Sequence, residues 1–398
     1  MQPLTHEVLS RYQIYDSVQA FTSSIAGLLS SRAVLQGFGV GDSNASPTTA
    51  LLLSVFQESM GRIATIVFAH KLGTSLEPEC KMYRLAADVF NDTSILLDCF
   101  SPILPKPARV VLLSCSSVLR ALCGVAAGSS KASLSAHFAK WGNLGELNAK
   151  DASQETIISL LGMLAGSVVV SHVTSNSATW SWLILLLSIH LGTNLAAIKA
   201  VSMHTLNRQR ANIVLSNLID HGRVMTPEQV SKEERIFERD GVLRWKGSAK
   251  MGHAHIGVEL QDLLSSLTVY QDHDSGIQQP RIALSDLVEL YKHERYILFH
   301  DSRRREAYIV LKEGASAASQ LQAWMHALLV AARSDQLVSS SAKPQKTAVD
   351  PLTSLREALK VVRADFEDYV QQLRAAGWDV DVSALETSRG FRVSLQEH

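Results

Sequence analysis

Polar and charged side chains recur along one otherwise apolar segment, Lys81–Phe100. At helical period, six of them fall within one arc of roughly 120°: Lys81, Arg84, Asp88, Asn91, Asp92 and Asp98. Acids grouped with a guanidinium and an amide could bind a small polar solute, or they could form an ion network that only holds helices together. The pattern also fits an amphipathic helix of a soluble protein, and the sequence leaves these alternatives open.

Other ionisable residues are candidates for the same polar interior. Glu58 and Arg62 lie four residues apart, so a helix would place them on one face. Asp151 and Gln154 have the spacing of a capping box that would begin a helix. Capping leaves Lys150 and Glu155 unexplained. We predict that they line the mouth of a polar cavity together with Lys131, His137 and Asn143.

Common catalytic and metal-binding patterns are missing from the sequence. There is no GxSxG elbow and no HExxH motif. His253 and His255 form an HxH pair in a predicted exposed loop, and no third ligand is evident. Gly39 and Gly41 beside Asp42 fit neither nucleotide-binding glycine pattern, which favours a tight interhelical turn. We therefore predict that the protein is not an enzyme and binds no metal and no cofactor.

The elements that must position these residues are long and apolar. No Asp, Glu, Lys or Arg occurs in the 43 residues from Thr156 to Ile198, and a membrane helix needs about 20 apolar residues. The polar turn Thr174–Thr179 divides this run into two spans, Thr156–Val173 and Trp180–Ile198. The alternative is a buried helical hairpin in a soluble core, although soluble helices usually keep a polar face.

Four earlier segments are long enough to span a bilayer but carry charges: Tyr12–Leu35, Pro47–Leu72, Lys81–Phe100 and Ala108–Ser130. A charge at mid-membrane costs about 2.5–3.5 kcal/mol on insertion scales, so these charges must pair or face a polar interior. The GxxxG pairs Gly124–Gly128 and Gly162–Gly166 would let membrane helices approach closely. We predict a mostly α protein with a multi-span membrane bundle of about six helices.

Charge density divides the chain. The first 200 residues hold 25 of the 76 charged side chains, and the net charge is zero, which argues against binding to nucleic acid. We predict a helical membrane domain over residues 1–205, a helical connector over 206–240 and a small soluble α+β domain over 241–398. Lys and Arg favour the loops that follow spans two, four and six, so both termini and the α+β domain should lie in the cytoplasm. MQPLTHEV has no apolar segment, which predicts no cleavable signal peptide.

The C-terminal part alternates helix and strand signals. Thr226, Pro227 and Gln229 predict a capped start for a short helix that ends near Arg239. Strands are predicted over five runs: Gly241–Trp245, Arg295–His300, Ala307–Lys312, Val380–Leu385 and Phe391–Leu395. Apolar periodicity predicts helices over residues 316–333 and 352–373. Together these elements predict one sheet with helices packed on it.

Several polar stretches have sequences more distinctive than those of ordinary loops. They include GFGVGDSNASPTTA, RLAADVFND, AKDASQET and TLNRQRA in the first 211 residues, and RYQIYDSVQAF close to the start. The C-terminal part adds LKEGASAASQLQAWMHAL and AGWDVDVSALETSRGFRV. Together these stretches resemble the root UVB-sensitive family over nearly the whole chain. The family usually has a Gly-Tyr-Pro-containing stretch before the first helix. That stretch is missing here, which leaves open whether the start of the sequence is truncated.

The resemblance implies a membrane protein associated with vitamin B6 homeostasis and UV-B responses, whose members act together in complexes. It carries over no catalytic residues, because the family has none established. We therefore predict an integral, multi-pass membrane protein that handles a small B6-type solute. The alternative is a non-catalytic membrane scaffold that acts in a homo- or hetero-oligomer with related family members. An enzyme that acts on a B6 vitamer is the weakest hypothesis.

Overall fold

The protein forms two compact units, Met1–Val201 and Ser202–His398, in a computed structural model. The structure describes residues 3–37, 47–139, 142–246, 249–267, 282–340, 350–388 and 390–394. Gly39, Gly41 and Asp42 lie outside the described residues.

The first unit consists of six long helices: α1 (Pro3–Gly37), α2 (Pro47–Leu72), α3 (Cys80–Phe100), α4 (Lys106–Phe138), α5 (Leu144–His172) and α6 (Asn176–Ala200). A helix therefore covers each of the six predicted spans. Helix α1 packs against α3, α5 and α6, while α3 also packs against α4, and α4 packs against α2. The most polar helix, α3, consequently has neighbours on several sides.

Four of these helices are long and apolar enough to cross a membrane: Thr48–Ser75, Lys106–Phe138, Leu144–His172 and Asn176–Ala200. Large apolar side chains on α2, α5 and α6 are exposed, among them Ile66, Leu164 and Ile184. An apolar exterior around a polar interior is typical of a bundle surrounded by lipid. Membrane crossing by α1 and α3 stays a prediction, because neither belongs to that set of four.

One predicted GxxxG pair lies at a close helix contact. A Cβ atom added at Gly162 would lie 2.8 Å from the backbone oxygen of Phe21, and one at Gly166 would lie 2.8 Å from Cδ1 of Leu28. The absence of these Cβ atoms thus lets α5 approach α1 closely, as in membrane helix pairs. No atom lies within 4 Å of a Cβ added at Gly124.

Helix α5 begins earlier than predicted. Its N-cap is Asn143, and Asp151 lies inside the helix rather than at its start. The capping-box interpretation of Asp151 and Gln154 is therefore wrong. Asp151 instead lies 2.7 Å from Nζ of Lys131, and Gln154 donates to Oγ of Ser17 at 2.8 Å. Contacts with α4 and α1 explain these two residues better than a local cap.

The second unit is a small α+β fold. Its helices are α7 (Arg208–His221), α8 (Pro227–Glu233), α9 (Leu260–Leu267), α10 (Leu284–Leu290), α11 (Ala317–Ser340) and α12 (Pro351–Ala375). Its strands are β1 (Val242–Trp245), β2 (Ala249–Ile256), β3 (Tyr296–Asp301), β4 (Glu306–Lys312) and β5 (Arg392–Val393). The sheet order is β1-β2-β4-β3, and β5 pairs with β4. The predicted hairpin is the antiparallel pair β3–β4, whereas β2 and β4 run parallel.

The sequence predictions for this unit hold in part. The capping box of Thr226 and Gln229 is present, although its helix ends at Glu233. The HxH pair lies on strand β2 rather than in a loop. No strand forms over the predicted Val380–Leu385 segment, where the Leu385 carbonyl accepts a hydrogen bond from Nε of Arg208 at 2.6 Å. The Arg208 side chain therefore pairs with a backbone carbonyl that a neighbouring strand could have paired with.

The TLNRQRA stretch has a structural role in this unit. Arg208 pairs with Asp240, and its guanidinium carbon lies 5.7 Å from the ring centroid of Trp324. Arg210 is buried 3.5 Å from Glu234. Helix α7, which falls within the predicted connector, thus belongs to the hydrophobic core of the second unit.

The second unit should lose stability as the pH falls below about 6.5. His326 is fully buried; its Nε2–H donates to the carbonyl of Leu355 at 3.0 Å, so Nδ1 accepts from the hydroxyl of Tyr296 at 3.1 Å. Burial lowers the pKa of His326 from 6.5 to about 3. Between these values only the unfolded chain binds the proton, which destabilises the fold by roughly 1.4 kcal/mol per pH unit.

The test compares urea unfolding of the second unit within the full-length wild type and within His326→Gln at several pH values between 4 and 8. The wild type should lose stability more steeply below pH 6.5 than the variant. If the stability of both proteins falls equally steeply with pH, His326 is not the cause of the loss, even if the variant is less stable at every pH.

Candidate functional site

Asp88 lies at the centre of a buried polar cluster that joins three helices. Arg84 is one turn before it on α3, with Nη1 of Arg84 3.1 Å from Oδ1 of Asp88. Gln19 of α1 and Asn194 of α6 both donate hydrogen bonds to Oδ2 of Asp88. The second guanidinium nitrogen of Arg84 lies 3.0 Å from Oδ1 of Asp16 on α1. The cluster therefore ties the polar face of α3 to α1 and α6.

His190 extends this cluster along α3. Its Nδ1 lies 2.8 Å from Oδ1 of Asp92, and its Nε2 lies 3.9 Å from Oδ2 of Asp88. His190 and both acids are almost completely buried. The second carboxylate oxygen of Asp92 is buried and accepts no hydrogen bond from the described residues. An acceptor left unpaired in this way carries a desolvation cost that a hydrogen-bond donor would remove.

A cavity of about 270 Å³ opens beside this cluster, between α1, α3, α4, α5 and α6. The polar part of its lining comprises Asp16, Gln19, Ser23, Arg84, Asp88, Asn91, Lys131, Glu155 and His190. Cys123, Ala127 and Gly128 of α4 supply a less polar wall. The cavity is thus a concave space with converging polar groups, which is the usual form of a small-molecule site.

Lys131 forms a second ion cluster at the same cavity. Its Nζ lies 2.7 Å from Oδ2 of Asp151 and 2.6 Å from Oε2 of Glu155, both on α5. Lys131 itself lies on α4, so this cluster links α4 to α5. The two cations that line the cavity, Arg84 and Lys131, are therefore each held by a pair of carboxylates.

Asp98, the last acid of the α3 stripe, belongs to a separate cluster. It pairs with Arg120 of α4, and it accepts hydrogen bonds from Ser30 at 2.7 Å and from Ser116 at 2.5 Å. These residues border a second cavity of about 390 Å³, which Gln57 of α2 also lines. One face of α3 therefore borders two cavities, one near each end of the helix.

The structure brings together most of the predicted site residues. Arg84, Asp88, Asn91, Lys131 and Glu155 line the first cavity. Asp92 is buried directly beside it against His190. Lys81, at the start of the stripe, is buried as well.

Three predicted residues lie elsewhere. Glu58 and Arg62 pair with each other at 3.7 Å on α2, with side chains 72% and 81% exposed. Lys150 is exposed and pairs with Glu146 one turn before it on α5, at 2.5 Å. Their expected place in the polar interior is therefore wrong. A spacing of four residues puts two charges on one face, but it does not say what that face meets.

Sequence reasoning missed four partners of the α3 stripe. The partners are Asp16 and Gln19 on α1 and His190 and Asn194 on α6. Each pair lies three or four residues apart within an apolar helix. Polar residues at helical spacing in such a helix were the available signal.

The described residues contain no group of three or more His, Cys, Asp or Glu side chains arranged to hold a metal ion. His253 and His255 lie on β2 and belong to no such group. The cavity groups instead suit hydrogen bonding and charge pairing with a small polar molecule.

These features define a class of protein: a mostly helical chain with four helices suited to a membrane, a cavity beside a buried polar cluster and a small α+β domain. Comparison with known sequences is consistent with this class. Residues 5–222 match a family model described as the vitamin B6 photo-protection and homoeostasis domain. Residues 223–389 match the model described as root UVB sensitive protein, C-terminal. The chain belongs to the root UVB-sensitive family, as its polar stretches predicted.

Individual relatives support this membership. The chain is 38% identical to RUS family member 1 of Dictyostelium discoideum over 230 residues, which are 57% of this chain and 44% of that protein. It is 27% identical to protein root UVB sensitive 3 of Arabidopsis thaliana over 97% of this chain and 82% of that protein. Protein root UVB sensitive 2, chloroplastic, from the same plant is 24% identical over 93% of this chain and 78% of that protein. No solved structure matches the chain.

Proposed function

We propose that this chain is an integral membrane protein whose helical unit binds a small polar solute of the vitamin B6 type. The observation that carries the proposal is the 270 Å³ cavity lined by Arg84, Asp88, His190 and Lys131 within a bundle whose outer surface is apolar. Ionisable groups inside a membrane bundle are expensive, so they mark solute or ion pathways by default. The proposal assigns no catalytic step and no cofactor to the chain.

The choice of solute rests on size and on family. Pockets for drug-sized ligands measure roughly 300–1,000 Å³, so a cavity of about 270 Å³ suits a compound with a single ring. The matched family model is described by vitamin B6 photo-protection and homoeostasis. The B6 vitamers are single pyridine rings with hydroxyl, aldehyde or amine groups, and they offer both donors and acceptors to such a lining.

The orientation in the membrane follows the charge of the loops. Lys71, Lys150 and Lys199 belong to the positively charged side, and the turn at residues 173–175 between α5 and α6 belongs to the other. Under the positive-inside rule both termini and the α+β unit face the cytoplasm. Cysteine-accessibility labelling should find the turn and the α+β unit on opposite sides, and labelling of both from one side would refute this topology.

The solute proposal is tested by thermal unfolding of the purified full chain with pyridoxine, pyridoxal and pyridoxamine. A ligand at 100 times its Kd adds about 2.7 kcal/mol of stability, so at least one compound should raise the Tm by several degrees. Asp88→Asn should abolish the shift, whereas Glu146→Gln, at an exposed ion pair on α5, should keep it. If none of the three compounds shifts the wild type, the solute proposal fails.

A second candidate function is a membrane scaffold, and the surface of α2 favours it. Glu58 and Arg62 lie near the middle of this helix, exposed among apolar residues that include Val55, Ile63 and Ile66. Charges facing lipid at that depth cost energy that a protein partner would remove. Two copies related by a twofold axis could pair Glu58 of each with Arg62 of the other.

A charge swap tests the scaffold. Glu58→Arg should weaken self-association, measured by cross-linking in membranes, because it places like charges at the contact. Glu58→Arg combined with Arg62→Glu should restore association, since reciprocal pairs form again. An unchanged oligomeric state in Glu58→Arg would contradict this function and leave the solute cavity unaffected.

A further inference from the structure

The charge balance around the cavity points to the class of solute that it can hold. Five carboxylates line or border the cavity: Asp16, Asp88, Asp92, Asp151 and Glu155. Only Arg84 and Lys131 carry a permanent positive charge among the residues that line it. Among the lining residues and their ion-pair partners, carboxylates therefore outnumber arginine and lysine side chains by five to two, and His190 is the other basic group of this set. An excess of carboxylates makes the electrostatic potential in the cavity more negative, which repels anions and attracts cations.

The two cations offer no ready phosphate site. Arg84 already contacts Asp88 at 3.1 Å and Asp16 at 3.0 Å, and Lys131 already contacts Asp151 and Glu155 within 2.7 Å. A phosphate would have to displace a carboxylate from one of these pairs. The displaced carboxylate would then be an unpaired charge beside the anion, and breaking a partly buried pair in this way is costly.

Two buried atoms of the cluster have no hydrogen-bond partner among the described residues: Nδ1 of His190, which only contacts Asp92, and an acceptor, Oδ2 of Asp92. Oδ2 of Asp92 is buried without a hydrogen bond from the described residues, and the side chain of Asp92 is 5% exposed. His190 contacts Asp92 and also lines the cavity. A molecule that pairs with Oδ2 of Asp92 must therefore bring a donor, such as an ammonium or a hydroxyl group.

We infer that the cavity selects solutes that are cationic or neutral hydrogen-bond donors and excludes their phosphorylated forms. This inference deepens the proposed function and rests on it for the identity of the solute. For B6-type compounds, the amine and alcohol forms fit the site and the 5′-phosphates do not. A phosphorylated vitamer would then have to lose its phosphate by hydrolysis before the cavity could accept it.

The charge of the cavity can be measured without any ligand, because Cys123 lines its wall. In a Cys115→Ser background, Cys123 is modified with a cationic or an anionic methanethiosulfonate reagent of similar size, and peptide mass spectrometry follows its rate. The reference is Ala132→Cys, at an exposed position on the same helix. Relative to the reference, the cationic reagent should react with Cys123 at least about tenfold faster than the anionic one.

Paired substitutions locate the source of the preference. Asp88→Asn and Glu155→Gln should each lower the ratio of the two rates, and Glu58→Gln on the exposed face of α2 should leave it unchanged. Equal rates, or a faster anionic reagent, would overturn the inference. Variants that are folded and yet keep the full wild-type ratio would also overturn it, because the preference would then arise outside the cavity.

A ligand comparison tests the same inference with solutes. Pyridoxamine and pyridoxamine 5′-phosphate are titrated against the full chain, and the amine should bind with a Kd at least about tenfold lower. Binding of the phosphate with equal or greater affinity would overturn the inference. If neither compound binds and no vitamer raises the Tm, the proposed B6 function is contradicted, and the Cys123 rates decide the charge inference by themselves.

Discussion

Replacing Arg84 with leucine is expected to destabilise the helical unit by roughly 3–5 kcal/mol, since it leaves buried charge without a partner. The guanidinium lies within 3.1 Å of both Asp16 and Asp88, and all three side chains are largely buried. Without it, two carboxylates on neighbouring helices would face each other with no cation between them. Thermal unfolding in detergent should show a Tm lower by many degrees, or no folded protein.

Two control variants separate this cause from general damage to the bundle. Arg62→Leu removes an arginine that is 81% exposed, and its Tm should stay close to that of the wild type. Arg84→Leu combined with Asp16→Leu and Asp88→Leu should recover part of the lost stability, because apolar residues can replace a buried ion network at little cost. If Arg84→Leu unfolds at the wild-type temperature, the network does not hold the helices together.

An arginine at position 164 is expected to impair membrane insertion strongly. Leu164 lies in the middle of the predicted fifth span and is 59% exposed. In a soluble protein an exposed leucine could become arginine with little effect. At the centre of a membrane helix the same change costs about 2.5–3.5 kcal/mol on insertion scales.

The measurement is resistance to alkaline carbonate washing. The wild type should stay in the membrane pellet, whereas Leu164→Arg should be partly extracted or degraded, and the apolar control Leu164→Ala should behave like the wild type. Release of the wild type by carbonate would contradict membrane integration. Equal retention of the arginine variant would place position 164 away from lipid.

The sequence predicted the polar face of α3 because that pattern lies within one helix. Residues 84, 88, 91 and 92 share a face at helical period in any environment, so no tertiary information was needed. Their partners could not be predicted in the same way. Asp16 and Asn194 both contact Arg84, although they lie 68 and 110 residues away from it in the sequence. Only the packing of the helices brings them together.

The failures elsewhere have the same physical origin. Glu58 and Arg62 share a helix face as predicted, but that face is exposed, because α2 packs against α4 with a different side. The contacting side lies only about 100° around the helix from Glu58 and Arg62. There Ser117 donates to the backbone carbonyl of Gln57 at 2.9 Å, and Gly61 lies close to the same serine. Local spacing fixes the direction of side chains relative to one another, while the packing of whole helices decides what they meet.

Strand β2 shows how tertiary pairing overrides a weak local signal. Its sequence, AKMGHAHI, contains a glycine and few β-branched residues, so it resembles a loop. Pairing on both edges, antiparallel to β1 and parallel to β4, nevertheless imposes the extended form. A Cβ at Gly252 would lie 2.2 Å from the carbonyl oxygen of Arg305, so the glycine permits the close approach at the start of β4.

Family membership gives this cavity its wider interest. The first family model covers residues 5–222 and includes every residue of the polar clusters described here. The buried charged residues therefore all lie within the region that matches this vitamin B6 domain, and each can be substituted separately. Asp88→Asn and Asp92→Asn are the most informative pair, because a solute site predicts folded protein without function, whereas a structural network predicts loss of the protein.

Protection of Cys123 by a solute tests the central claim most directly. The thiol lines the cavity, so a bound B6 vitamer should shield it from a small neutral maleimide. With a saturating unphosphorylated vitamer, the alkylation rate of Cys123 should fall at least about tenfold, as expected for a site more than 90% occupied. The rate at Ala132→Cys, outside the cavity, should not change. Alkylation of Cys123 at the same rate with and without every B6 vitamer would contradict the claim that this cavity is the solute site.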